Sequence, residues 1–262
     1  MKKKIVKGVL GSLVGILLCA QLIVGGVFDS NALFDVSAEA ADATSYVTDT
    51  EEEEEYEDPD FEIEDGVLSG VKTKSKNIVL PETVTEIESY AIPSYVTSIT
   101  IPKSVTEIES GAFLNATSLK TIKVAKANKK YAAFGDCLYT KNKTSLLAVP
   151  AKLTKFKFPA KLKTIESYAF SYNKAKAITL PKSVKKIKTN AFYYCGKLEK
   201  LTIDKNATTI SNGFAAGRNV SWVASTCGMG SSKKGYLTIY TQEGSKAYKV
   251  AKKMGILVET ID

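Results

Sequence analysis

The 262-residue sequence contains no histidine. Histidine is the side chain that most often acts as a general base near neutral pH, and it is the most common metal ligand in proteins. Its absence excludes Ser-His and Cys-His nucleophile pairs. Enzymes that use paired carboxylates or lysine remain compatible with the composition, but no residue pattern points to a catalytic group. We therefore expect a protein that is not an enzyme and uses no cofactor.

Cysteine is also scarce, and the chain has four: Cys19, Cys137, Cys195 and Cys227. The last three are irregularly spaced and form no C-x-x-C pair, so the sequence favours neither a disulfide framework nor a zinc site. We predict no metal site, and whether two of these three cysteines pair stays open. Cys195 occupies the repeat position that Ala116 and Asn173 hold elsewhere, which favours a small buried residue over a nucleophile.

Arginine occurs once, at Arg218, although the chain is rich in lysine. Residues 66–262 contain 32 basic and 12 acidic residues, and the formal net charge of the whole chain is +8. Proteins that bind nucleic acids usually rely on arginine side chains and interleaved aromatic residues, so we predict no nucleic-acid partner. A lysine-dominated surface on an exported chain favours anionic extracellular partners, or it serves solubility alone.

The first 40 residues have the pattern of a secretory signal peptide. Lysines at positions 2–4 and 7 precede an uncharged segment, residues 8–28, and Ala38-Glu39-Ala40 supplies small residues around a cleavage site. The uncharged segment is near the length of a bilayer-spanning helix, so an uncleaved N-terminal anchor is the alternative. We expect a secreted, extracellular or cell-envelope-associated protein that contacts the membrane only through this segment, if it is uncleaved.

Residues 41–65 predict a disordered acidic linker. Twelve carboxylates and no basic residues lie between Asp49 and Asp65. Like charges at this density repel one another and keep a chain extended. Three roles remain open for the linker: a solvated spacer, weak binding of divalent cations, or a tether that contacts the basic part of the chain.

A phrase with a period of 21–22 residues recurs in the rest of the chain. It contains an apolar residue followed by proline, two further apolar steps, and then an Ala-Phe pair, in which Ile92 replaces the phenylalanine of the first copy. Copies start at Leu80, Ile101, Phe158 and Leu180, and a weaker copy starts at Ile203. Self-similarity near this period indicates a solenoid, in which each unit buries its apolar face by stacking on its neighbours.

Each unit predicts a short strand of alternating apolar and polar residues, and in four units a proline follows and ends the strand. We predict strands over residues 96–101, 119–124, 153–158 and 198–203. The Ala-Phe pair fills the layer beneath the strands. Stacked units are expected to form a phenylalanine ladder and an isoleucine ladder, the latter from Ile87, Ile108, Ile165, Ile187 and Ile210.

The phrase I-P-x-S-V-T-x-I-x-x-x-A-F resembles the BspA-type leucine-rich repeat of bacterial surface and secreted proteins, and the resemblance covers about residues 61–262. It implies a β-rich (α+β) fold, a curved, right-handed leucine-rich-repeat solenoid with strands on one face. It also implies adhesion or protein binding outside the cell. The asparagine ladder of other leucine-rich repeats is missing from the phrase.

Residues 131–150 depart from the repeat. Two alternating runs flank a polar turn at residues 140–144, which predicts a β-hairpin insert. Asp65-Gly66-Val67-Leu68 is similar to the start of such an insert in the family, and we expect it to begin the folded solenoid, residues 66–262. The segment 211–236 is irregular and receives no placement.

Residues 237–262 predict a strand-helix-strand cap at the end of the solenoid. Ser245 is placed to cap the helix, and Gly255 suits the position after its end. The apolar face of the helix would consist of Ala247, Val250, Ala251 and Met254. Such a cap covers the edge that the last repeat would otherwise expose.

The outward positions of the predicted strands are the candidate contact surface, because solenoids bind partners along such extended faces. The candidate ligand-binding residues are Thr121, Lys123, Lys155, Lys157, Lys200 and Thr202. No aromatic cluster appears among them. We predict an interaction or adhesion protein that binds an extracellular protein or an anionic polymer, such as a glycan, through this face. The alternatives are a cell-wall or carbohydrate-binding module, and a solvated face without a ligand.

Overall fold

The computed structural model of the protein describes residues 58, 60–216 and 237–262. The predicted signal peptide, most of the acidic linker, and the segment with Trp222 and Cys227 fall outside these residues. The described part is a β-solenoid with one helix near its C-terminus, as the repeat predicts.

A β-hairpin opens the described chain. Strand β1 (Phe61–Glu64) pairs antiparallel with β2 (Val67–Val71), and Phe61 is buried. Asp65 and Gly66 both have positive φ, 51° and 82°, as the turn of a tight hairpin requires. The predicted hairpin start at Asp65 is confirmed. The predicted boundary between the linker, 41–65, and the folded range, 66–262, lies a few residues too late in the chain, because Phe61 already packs into the core.

The alternating segments of the repeat form a first ladder of parallel strands. Ile78, Ile99 and Ile122 lie side by side in one sheet of this ladder, and Ile178 and Leu201 pair in another. These strands are β3 (Asn77–Val79), β5 (Ser98–Ile101) and β7 (Thr121–Val124) in the first sheet, and β12 (Ala177–Thr179), β14 (Lys200–Thr202), β16 (Thr238–Thr241) and β17 (Leu257–Thr260) in the second.

A second ladder consists mainly of two-residue strands, where the chain returns to the core after each corner of the repeat. Strand β2 pairs with β4 (Glu86–Ile87), and the ladder continues in a separate sheet after the hairpin insert. The other two-residue strands are β6 (Glu107–Ile108), β11 (Thr164–Ile165), β13 (Lys186–Ile187) and β15 (Thr209–Ile210). The isoleucine ladder is thus confirmed in two blocks, with Leu146 next to Ile165 where the second block begins.

The hairpin insert is confirmed, and it has one more strand than the sequence predicts. Strands β8 (Tyr131–Phe134), β9 (Cys137–Thr140) and β10 (Ser145–Ala148) pair antiparallel, and β10 then pairs with β11. The buried apolar residues form two clusters, an N-terminal one that begins at Phe61 and a C-terminal one that extends to Ile256. Successive residues of β9 point to opposite sides, so Leu138 packs in the N-terminal cluster and Tyr139 in the C-terminal cluster. The insert therefore contributes to both halves of the core.

The predicted strand at residues 153–158 is wrong. The insert takes over the hydrogen bonds that would have paired this segment with β7: the Ile122 N–H donates to the Asp136 carbonyl, 3.0 Å away. Segment 153–158 has no strand partner, yet its apolar residues still pack inward. The Phe156 ring lies 5.6 Å from that of Phe170.

Stacked phenylalanines and proline corners hold the turns together. The Phe170 and Phe192 rings are stacked with centroids 4.8 Å apart, and Phe214 follows edge-on at 6.3 Å. Each is buried, which stabilises the fold by about 2–3 kcal/mol per side chain. At the corners, the prolines end the first-ladder strands and accept bonds within the turn, as Pro181 does from the Val184 N–H at 3.0 Å.

Two buried asparagines bridge neighbouring turns, although the repeat phrase has no asparagine ladder. The Asn173 amide donates to the carbonyls of Pro150 and Leu153 at 3.0 and 2.8 Å. Asn128 donates to the carbonyls of Pro102 and Val105 in the same manner, at 2.8 and 2.9 Å. Both buried amide groups thus have hydrogen-bond partners, and they link each asparagine to the backbone of the preceding turn.

The C-terminal strand-helix-strand cap is confirmed. Helix α1 (Lys246–Lys253) begins after Ser245, whose side-chain oxygen accepts from the Tyr248 N–H at 3.1 Å. Gly255 follows the helix with φ of 68°. The helix packs its buried face, Ala247, Val250 and Ala251, into the C-terminal hydrophobic cluster. Across the described ranges, no helix has the length and apolar character needed to cross a bilayer.

Candidate binding surfaces

Four of the six candidate residues lie on strands of the first ladder, in two separate sheets, and the other two lie between those strands in chain order. Thr121 and Lys123 belong to β7, and Lys200 and Thr202 belong to β14. Lys155 and Lys157 lie in the irregular segment between those strands, and both are exposed. We call the four exposed lysines the lysine face: Lys123, Lys155, Lys157 and Lys200.

Tyr240 adds an aromatic ring to the lysine face, which the sequence analysis did not expect. It lies beside Thr202 in register, and the Lys200 ammonium is 5.6 Å from its ring centroid, within the range of a cation–π contact. Burial, and then a hydrogen bond with Glu259, raise the pKa of the Tyr240 phenol. The signal was present in the sequence, because Tyr240 is an outward residue of the predicted strand in the cap.

The N-terminal turns carry a row of carboxylates on the second ladder. Glu86 and Glu107 are neighbours in register, and Glu88 and Glu109 follow them along the chain. Burial raises the pKa of Glu86, and the charges of Glu107, Glu109 and Glu88 raise it further. The Ser89 N–H donates to the Glu109 carboxylate at 2.8 Å, which lowers the pKa of Glu109.

Tyrosines cluster where the second-ladder turns end, and we call Tyr90, Tyr168, Tyr172, Tyr193 and Tyr194 the tyrosine surface. Tyr193 packs edge-on against Tyr168 and Tyr172, with centroids 5.6 and 6.0 Å apart. Tyr172 stacks on Tyr194 at 5.4 Å. Burial and then the phenols of Tyr194, Tyr172, Tyr168 and Tyr90 raise the pKa of Tyr193. All five rings are partly or fully exposed, so this surface is the aromatic cluster that the strand positions lack.

Four of these tyrosines have left-handed backbone geometry. Their φ angles are 66° for Tyr90, 61° for Tyr168, 56° for Tyr172 and 50° for Tyr194. A bulky L-residue in this conformation costs about 1 kcal/mol or more. The motif Glu-Ser-x-Ala places Tyr168 where another turn has Gly111. Glycine has no side chain and adopts this backbone conformation without the steric cost. The variable residue of this motif was a sequence signal for the tyrosine surface that the analysis above did not use.

A cleft of about 150 Å³ adjoins the tyrosine surface, between β6 and β11. Tyr168 belongs to both features, because it lines the cleft and contacts Tyr193. The apolar lining includes Ile108, Phe113, Leu114 and Leu147. Two carboxylates, Glu109 and Glu166, also line it. Lys188 forms an ion pair with Glu166, so both carboxylates already have a polar partner.

The described cysteines are buried thiols. Cys137 and Cys195 lie in the C-terminal hydrophobic cluster, and burial raises the pKa of each to about 12. The Cys195 thiol donates to the Phe170 carbonyl at 2.9 Å. The interpretation of Cys195 as a small buried residue is confirmed. A thiol with so high a pKa is protonated at neutral pH and is a poor nucleophile.

A protein-family model described as BspA type Leucine rich repeat region matches the chain in six copies, over residues 62–142 and 148–221. Among solved structures, a leucine-rich repeat protein from Eubacterium ventriosum is 40% identical over 51% of this chain and 37% of that chain, with a TM-score of 0.48. The pneumococcal vaccine antigen PcpA is 20% identical over 71% of this chain and 68% of that chain, with a TM-score of 0.36. A leucine rich cell surface protein from Faecalibacterium prausnitzii is 22% identical over 53% and 57%, with a TM-score of 0.30. No curated protein matches the chain.

Proposed function

The chain belongs to the BspA-type leucine-rich repeat family, and from this premise we propose that it is a non-enzymatic interaction protein outside the cell or at its envelope. It binds an extracellular protein or an anionic polymer through the lysine face. The observation that carries this proposal is the set of four exposed lysines on β7, on β14 and in the segment between these strands, at positions that the fold does not need for its core.

The location rests on the N-terminal sequence. Lysines at positions 2–4 and 7 precede the uncharged residues 8–28, and Ala38-Glu39-Ala40 follows. This order of charge, apolar segment and small residues is the pattern of a secretory signal. An exported solenoid meets matrix proteins, mucins and acidic glycans, all of which present anionic groups.

The electrostatics of the lysine face favour an anionic ligand. Lys123 lies on β7 and Lys200 lies on β14 beside Tyr240, and the exposed Lys155 and Lys157 lie between them in chain order. An ammonium is a compact point charge that does not require the fixed planar geometry of an arginine pair. Such a face suits a ligand with many repeated negative charges, and its attraction weakens as salt screens those charges.

Binding of the full chain to immobilised fibronectin, mucin and heparin tests the proposal. Each is measured at about 50 mM and about 300 mM sodium chloride, because screening between charges increases over this range. We expect at least one of the three to bind, with an affinity that falls at the higher salt concentration. Failure to bind all three would contradict the adhesion role, and binding that does not depend on salt would contradict the electrostatic one.

A further inference from the structure

The tyrosine surface and the adjoining cleft lie apart from the lysine face, on the second ladder and its turns. We propose that they form a binding site for a neutral oligosaccharide, with one sugar ring in the cleft and the next rings on the tyrosines. This site is separate from the proposed function of the lysine face, and each proposal holds or fails without the other.

The cleft and the rings form one continuous surface. Tyr168 lines the cleft, and its hydroxyl accepts a bond from the Asn190 amide at 3.0 Å, which holds the side chain in place. Tyr193 contacts Tyr168 on one side and Tyr194 on the other, with centroids 5.6 and 4.6 Å apart. A linear ligand that enters the cleft beside Tyr168 therefore continues over Tyr193 and Tyr194.

The size of the cleft suits a six-membered ring. Its volume of about 150 Å³ is similar to that of an engineered apolar protein cavity of about 150 Å³ that accepts benzene. Ile108, Leu114 and Leu147 supply apolar walls. A pyranose presents C–H groups to such walls and to the electron-rich faces of tyrosine rings, and it directs its hydroxyl groups around its edge.

The two carboxylates determine which ligand class fits. An ionised carboxylate only accepts hydrogen bonds, and its oxygens can bind more than one donor. Glu166 has Lys188 as a partner and Glu109 has the Ser89 N–H, so each keeps acceptor capacity for a sugar hydroxyl while its charge is partly compensated. An anionic ligand would be repelled here, and the Lys188 ammonium already pairs with Glu166, so neutral hydroxyl donors suit both carboxylates.

The backbone geometry supports a role for the rings. Tyr168 and Tyr194 keep left-handed φ angles of 61° and 50°, at turn positions where glycine or asparagine fits more easily. Asn190 has this geometry in the turn after Tyr168, with φ of 58°. Partly exposed tyrosines in a conformation that is unfavourable for them indicate that the ring, and not the turn, is the feature that matters.

Calorimetric titration of the full chain with neutral hexasaccharides tests the proposal. The probes are cellohexaose, maltohexaose, laminarihexaose and chitohexaose, and hexalysine and an oligoalginate serve as cationic and anionic comparisons. We expect at least one neutral probe to bind with little dependence on salt. Absence of binding by all four, or binding by hexalysine or oligoalginate alone, would overturn the proposal.

Substitutions then locate the site. Tyr168→Asn removes the ring and introduces the residue that Asn190 already places in this turn geometry, so the variant should fold. We expect it to weaken binding by at least about tenfold, because ring contacts and buried area are both lost. Tyr194→Asn provides a second variant if the first does not fold, and Tyr248→Ala on helix α1 is the matched control. Equal affinity of both tyrosine surface variants and the wild-type chain would place the site elsewhere.

Discussion

Glu86 shows how a single residue can oppose the fold that contains it. It lies in register with Glu107, and burial together with the neighbouring carboxylates raises its pKa. A raised folded-state pKa means that the fold favours the protonated carboxyl over the ionised one. The ionised form is therefore a destabilising feature at neutral pH, and this cost disappears as the pH falls through the folded-state pKa.

We expect Glu86→Gln to raise the melting temperature at pH 7, because the amide keeps the shape of the side chain and removes its charge. The difference in melting temperature between the variant and the wild-type chain should shrink as the pH falls, because protonation then removes the charge of Glu86, as the substitution does. Thermal unfolding measured between about pH 3 and pH 7 checks this. Glu82→Gln is the control at an exposed carboxylate of the same turn, and an equal gain from both variants would contradict the account.

At the residue scale, the sequence predicts inward residues better than exposed ones. Ile87 and Phe170 follow from the repeat because burial constrains them in each turn. The bridging role of Asn173 does not follow, because the equivalent positions hold Ala116 and Cys195 and so show no pattern. The left-handed geometry of Tyr168 is equally hidden, because tyrosine has no preference for that conformation.

Among the elements, the hairpin insert explains the largest difference between prediction and structure. Residues 153–158 alternate as a strand should, and their phenylalanines do pack inward. Strand formation also needs a neighbour with unpaired backbone groups, and the insert has already engaged the Ile122 N–H of β7. Alternation reports which side chains are buried, whereas pairing depends on an inserted segment that lies elsewhere in the sequence.

The C-terminal cap provides a direct test of an element that the sequence did predict. The Ser245 side chain accepts from the Tyr248 N–H, which is one of the first helical donors without a partner inside the helix. We expect Ser245→Ala to lower the free energy of unfolding by about 1 kcal/mol. Chemical denaturation measures this change.

Ser245→Asn is the matched variant, because asparagine also accepts a hydrogen bond at the start of a helix. It should retain most of the stability that alanine loses. Equal losses from both substitutions would mean that the cap does not act through this bond.

On the scale of the whole molecule, charge and aromatic residues are distributed unevenly over the solenoid. Carboxylates such as Glu86 and Glu107 concentrate in the N-terminal turns, and the lysine face begins at Lys123 and continues to Lys200. Apart from Tyr90, the residues of the tyrosine surface lie between Lys157 and Lys200 in chain order. A scaffold with distinct surfaces can bind chemically different ligands at the same time.

The sequence predicts the scaffold more completely than the surfaces on it. Repeats must stack, so the same apolar phrase recurs and identifies the solenoid. Lys123 and Lys200 were found because they occupy outward strand positions. Tyr168 and the cleft beside it were not, because that cleft forms where the hairpin insert separates β6 from β11, and no single repeat contains it.

The central claim is that the lysine face binds an anionic ligand, and paired charge-reversal variants test it most directly. The first variant changes the lysine face to glutamate: Lys123→Glu, Lys155→Glu, Lys157→Glu and Lys200→Glu. The control makes the same number of changes at exposed lysines of the proline corners: Lys161→Glu, Lys163→Glu, Lys182→Glu and Lys185→Glu. Both variants have the same net charge, so a difference between their affinities shows that the positions of the changed lysines matter.

The decisive measurement is the affinity of both variants and the wild-type chain for whichever of fibronectin, mucin or heparin binds, at about 50 mM salt, where the Debye length exceeds about 10 Å. The account predicts that the lysine-face variant loses at least about tenfold in affinity, because its reversed charges lie at the contact, and that the control loses much less. Equal losses from the two variants would show that net charge alone attracts the ligand, and would contradict a binding site on the lysine face.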